Sequence, residues 1–156
     1  MMVFLGRRRF QGGFTLAELV MVVALVAVLS AMVLPVAKFT VKRRKEAELR
    51  LALRQMRTAI DEYKNLSDQG QIPVTIGGEG YPESLEDLVE GVELVGQETE
   101  RKFLRRIPRD PMTGEDWILI SYQDDPDATS WGGENVYDVR TSSEGVALDG
   151  TKYAEW

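Results

Sequence analysis

Two residue types are missing altogether from these 156 residues: cysteine and histidine. Without cysteine no disulfide can staple a small domain, so its loops must be fixed by packing, hydrogen bonds or ions. Without histidine the chain lacks the commonest general base, the Ser-His and Cys-His nucleophile pairs, and any imidazole-containing zinc site. Basic residues are in deficit. Nineteen Lys and Arg against 25 Asp and Glu leave a net charge of -6 and a pI near 4.8, which disfavours nucleic-acid binding because clustered cations are what hold a phosphate backbone. A glycine loop closing on Lys-Ser or Lys-Thr, the cradle for nucleotide phosphates, is missing as well. With 44% hydrophobic and 28% charged residues, the composition is that of a folded chain with room for one domain and an anchor.

Charge is nearly absent from one stretch. Residues 14–34 hold a single ionisable side chain, Glu18, and as a helix they extend about 30 Å, the thickness of a bilayer core. The preceding residues 1–13 contain Arg7, Arg8 and Arg9, no acid, and a closing Gly12-Gly13. An ordinary secretory signal is cut after its apolar run at a small-x-small site; here the small residues stand before it. Charge counting leaves the orientation open, since Arg7, Arg8 and Arg9 flank one end and Lys38, Lys42, Arg43, Arg44 and Lys45 the other. Glu18, within the apolar run, either sits hydrated near the membrane surface or requires a partner, because an unpaired charge inside a bilayer costs several kcal/mol. Pro35 lacks an amide hydrogen and either kinks the helix or ends it.

Beyond Pro35, Leu49, Ala52, Met56, Ala59, Ile60 and Tyr63 recur at three- and four-residue steps and predict an amphipathic helix to about Leu66, with its apolar stripe gripping a head. Lys42 with Glu46, Arg44 with Glu48 and Arg57 with Asp61 stand at i,i+4 spacing. Residues 42–45 form a basic cluster suited to lipid phosphates or to acidic residues of neighbouring subunits. Residues 67–81 read as a loop, and 82–88 as a short helix start in which Ser84 and Asp87 make a capping box. Another turn or two is expected over 99–106. Residues 117–122 and 135–140 read as strands of a small antiparallel sheet. The fold class is α+β, with 1–13 a leader, 14–34 a membrane helix, 35–66 its amphipathic continuation and 67–156 the head.

The run Gly13-Phe14-Thr15-Leu16-Ala17-Glu18 after a short basic leader resembles the processing motif of type IV prepilins and type II secretion pseudopilins. The segment from Lys102 to Pro111 with Gly114, and the ending from Tyr137 to Thr151, are similar to parts of major pseudopilins, although Met112-Thr113-Gly114 stands where that family often has an aromatic followed by glycine. The resemblance implies cleavage between Gly13 and Phe14 by a prepilin peptidase, methylation of the new amino terminus, and a periplasmic head on a single-pass inner-membrane helix. It also implies that Glu18 neutralises the terminal amine of a neighbour, and that the helix loosens at Pro35 as a filament packs. The chain is then expected to be a structural subunit, not an enzyme. It would polymerise with itself and with minor pseudopilins on an inner-membrane assembly platform driven by a separate ATPase, after a stage in membrane lipid and without nucleic acid. A type II secretion pseudopilus is the leading expectation and a type IV pilus the alternative. A membrane-anchored enzyme using Asp or Glu pairs, with Trp117, Trp131 and Trp156 lining a sugar cleft, is a remote third. Relatives often tie the C-terminal loop with calcium, and Glu144 and Asp149 with the carbonyls of 141–143 are the candidate oxygen ligands here. A second acidic loop, Asp124, Asp125 and Asp127, is a lesser candidate.

Overall fold

The computed structural model describes residues 13–74, 79–96, 99–125 and 130–156. A single helix, α1, occupies Leu16–Asp68 and contains Pro35 in its interior. Thr15 starts it: the Thr15 hydroxyl accepts the Glu18 amide at 3.2 Å, and the Thr15 carbonyl accepts the Leu19 amide at 3.1 Å. A side-chain oxygen at this place satisfies one of the amides left orphaned at any helix start. Pro35 lies within α1 and does not end it.

Two compact units divide at Thr40 and Val41. In the first, every described side chain of 16–40 is exposed, and the helix is long and apolar enough to cross a membrane. In the second, Val41–Trp156, the rest of α1 supplies half of one core. Leu49, Ala52, Met56, Ala59, Ile60 and Tyr63 are all buried, as their spacing predicts, and Leu53 joins them. From the head they meet Ile72, Leu85, Leu88, Leu94, Trp117, Val136, Val139, Ala147 and Tyr153. Full burial of each large aliphatic contributes about 1.5–3 kcal/mol.

The head elements are short. Helix α2 spans Leu85–Glu90, and the capping box is present: the Ser84 hydroxyl accepts the Asp87 amide while the Asp87 carboxylate accepts the Ser84 amide. Gly91 ends α2 at φ 97°, and an added Cβ would lie 3.0 Å from the Arg101 carbonyl, so only glycine fits this turn without strain. Strand β1, Val92–Glu93, pairs antiparallel with β2, Glu100–Arg101. The helical turn expected over 99–106 is thus replaced by an edge pairing, with the Phe103 and Leu104 amides both donating to the Leu88 carbonyl. Strands β3, Ile118–Ile120, and β4, Asp138–Arg140, form the expected antiparallel pair in the register Ile118 to Arg140, Leu119 to Val139 and Ile120 to Asp138. The architecture is α+β: one long N-terminal helix and a small head with short antiparallel sheets.

Asp110 is buried but satisfied. Its carboxylate accepts the Met112 amide at 2.7 Å, the Thr113 hydroxyl at 3.0 Å and the Thr141 hydroxyl, joining the segment before β3 to the residue after β4. Gly114 closes this turn at φ 77° and donates to the Asp110 carbonyl.

Candidate functional site

Gly13 and Phe14 precede α1 in non-helical, exposed backbone, with no atom within 4 Å of where a Gly13 side chain would be. A protease must draw its substrate into an extended conformation, and a residue lacking a side chain enters a narrow cleft most readily. Glu18 lies in the first turn of α1, where an acid also complements the positive end of the helix dipole. Its carboxylate is exposed. The segment therefore brings together an open glycine, an aromatic, a capped helix start with an early acid, and an apolar run whose described side chains are all exposed. A helix apolar all round calls for a surrounding of lipid or other helices.

Residues 8–34 match the prokaryotic N-terminal methylation motif. The motif is the type IV pilin-like signal, and it supports a subunit made as a precursor and processed at its N-terminal end. The match takes in Gly13, Phe14 and Glu18 but stops one residue short of Pro35 and leaves the head unassigned. No curated protein and no solved structure gives a significant match to the chain. Apart from Gly13, the expected leader lies outside the described residues.

The head carries a second constellation, at its C-terminal loop. Glu46, buried in the flank of α1, accepts the Leu148 amide at 2.8 Å and the Tyr153 hydroxyl at 2.9 Å. Arg50, one turn on, places a guanidinium nitrogen 3.1 Å from the Asp149 carboxylate and its carbon 4.1 Å above the Trp156 ring. The other Asp149 oxygen accepts the Thr151 amide and hydroxyl at 3.0 and 2.6 Å, and Trp156 donates its indole N–H to the same hydroxyl at 2.7 Å. Lys42 donates to the Val146 carbonyl at 2.6 Å. The Thr151 hydrogen bonds, aided by Arg50, hold the Asp149 carboxyl below the usual carboxylate range. Burial, together with the Glu46 carboxylate it donates to, pushes the Tyr153 hydroxyl up to about 12.

These partners replace two of the three helix-surface pairs expected from spacing. Lys42 and Glu46 reach the C-terminal loop instead of each other, and Arg57 forks onto Asp138 at 2.6 and 3.1 Å rather than meeting Asp61. Only Arg44 with Glu48 forms as predicted, at 2.9 Å. Two of these long-range bonds, Lys42 to the Val146 carbonyl and the Leu148 amide to Glu46, have a backbone partner, so each immobilises only one flexible side chain.

Calcium takes six to eight oxygens, and at this loop it would have to compete with Arg50 for Asp149. Asp149 is already paired with a cation, Glu144 is exposed, and no group of three or more His, Cys, Asp or Glu side chains is assembled among the described residues. Of the acidic loop, Asp127 lies outside the described residues. Asp124 accepts the Ser121 and Gly132 amides at 2.8 and 3.1 Å, bonds that hold its carboxyl below the usual range. The tryptophans act as anchors, since Trp117 donates to the Pro108 carbonyl, Trp131 to the Asn135 carbonyl and Trp156 to Thr151.

Proposed function

We propose that the chain is a pseudopilin of a type II secretion system: a structural subunit cut after Gly13, methylated on Phe14, and polymerised from the inner membrane through its N-terminal helix. The observation that carries this reading is the coincidence of the methylation motif with a capped apolar helix segment whose described side chains are all exposed, within the same α1 that supplies core residues to the head. In the membrane the apolar half dissolves in lipid. In the filament it packs on copies of itself, with Glu18 neutralising a neighbour's new amino terminus. A compact head without cysteine favours secretion over a surface pilus.

Intact-mass analysis of the protein from its native membrane tests the proposal. The expected species begins at Phe14 and carries one added methyl group; a retained leader, or a cut after the apolar run, overturns the assignment. Deletion of the chain in the same host then separates the systems: folded exoproteins trapped in the periplasm indicate the secretion system, and loss of surface fibres indicates a pilus.

A further inference from the structure

Two unlike patches flank the buried stripe of α1 on the head. At 100° per residue, Glu48, Leu51 and Gln55 lie roughly 100° to one side of the core-facing positions, and Arg57, Asp61 and Lys64 roughly 100° to the other. On the first side, Leu51, Ala52 and Gln55 line a shallow cleft whose opposite wall is Pro108 and Pro111, with Arg106 and Arg109 at its edge. Leu51 is 57% exposed. Arg105, Arg106 and Arg109 are exposed and pair with no carboxylate among the described residues.

On the second side stand three tyrosines in mutual contact. Tyr81 and Tyr122 stack at 5.8 Å, and Tyr137 meets both edge-on at 5.2 and 5.5 Å, while Tyr122 remains 57% and Tyr137 45% exposed. The Lys64 ammonium lies over Tyr81 but is paired with Asp68, and Asp61 and Glu79 lie close by, so the surroundings are acidic. The backbone that carries Tyr122 is held from within. Asn135, fully buried, accepts the Tyr122 amide at 2.9 Å, and its carbonyl accepts the Ser121 hydroxyl at 3.0 Å. A buried residue that fixes the backbone carrying an exposed aromatic ring pre-organises that ring for contact.

We infer that these patches are the two halves of one contact between heads of successive copies of this chain, an inference that rests on the filament reading above. The neighbour's Tyr122 and Tyr137 enter the cleft between Leu51 and the two prolines. Arg106 and Arg109 then lie on the ring faces, where guanidinium is attracted by the π-system, and meet the acidic surround of Asp61 and Glu79. Because the patches differ and sit on opposite flanks, the contact is head-to-tail and propagates instead of closing into a symmetric dimer.

The absence of cysteine makes a clean test. Full-length chains carrying Gln55→Cys, Asp61→Cys or both are expressed in the native host and treated with a short bismaleimide; both cysteines stand at the rim of the contact and leave Leu51, Arg106, Arg109, Tyr122 and Tyr137 intact. The double variant should give a ladder of dimers, trimers and longer products, and each single variant only monomer. Adding Arg106→Glu and Arg109→Glu should reduce the ladder at least tenfold with the melting temperature unchanged. Dimers from a single-cysteine variant, or visible filaments of Phe14-processed chain without a ladder, overturn this contact while leaving the filament reading in place. Unprocessed chain without filaments overturns both.

Discussion

Residues 16–40 expose every described side chain, whereas from Val41 onward the same helix turns a stripe of seven side chains, from Leu49 to Tyr63, into a core. The backbone is continuous and the hydrogen bonding alike; the difference lies in where charge is permitted. The first part carries one acid in its opening turn and no base before Lys38, so no face is marked as outward. The second alternates apolar and charged positions, which fixes which side meets the head. Secondary structure therefore says little about role, and the distribution of charge around it says a good deal.

The sharpest way to break this comparison is at Glu18. Glu18→Ala should abolish filaments seen by electron microscopy, since leaving the partner amine buried and unpaired costs about 3–5 kcal/mol, while the melting temperature of the head stays the same. Next is the same kind of truncation in both regions. Met56→Ala, at a fully buried site, should destabilise the head by about 2–5 kcal/mol in denaturant titration of the full chain in detergent, and Leu25→Ala should leave that transition unmoved.

Tyr153→Phe removes one of two donors to buried Glu46 and should cost about 1–3 kcal/mol. The wild-type hydroxyl titrates near 12 when folded and near 10 when unfolded, so more protons are bound in the folded state between those values. Stability should fall as pH rises through that window, and the Tyr153→Phe variant should lose this part of the slope. The smallest effect belongs to Asp149. Its lowered folded pKa means that its contribution is present above the normal carboxylate value and fades as pH falls through the folded one. Trp156 fluorescence should report loosening of the loop in acid, and Arg50→Ala should produce the same change at neutral pH. Millimolar calcium should leave the wild-type melting temperature unchanged; a rise would show the ion displacing Arg50 and would turn the loop into the metal site that the sequence resemblance implies.

The long helix, its buried stripe, the Ser84 and Asp87 box and the strands β3 and β4 were all legible, because each is written in residues no more than a few positions apart. Thr15 was not among the expected features, and the apolar run alone put the helix start at residue 14, although a Thr three residues before a Glu is a start signal. What could not be read was set by distant backbone. Nothing in the spacing of Lys42, Glu46, Arg50 or Arg57 reveals that loops near residues 138 and 146–156 will supply better partners than the next helical turn. Likewise β2 appears in place of a helical turn because Leu88 offers its carbonyl to Phe103 and Leu104, a pairing that local propensity does not contain.

Glu46 and Tyr153 are 107 positions apart. Until residues 147–153 are available, burial of the α1 flank would leave a carboxylate without its donors, so the head has no stable partial form built on the helix alone. Loop closure over that distance precedes any reward from the contact. A chain stopped before residue 147, by stalled synthesis or by a protease, should thus remain open and degradable, because the fastening closes only on a full-length head.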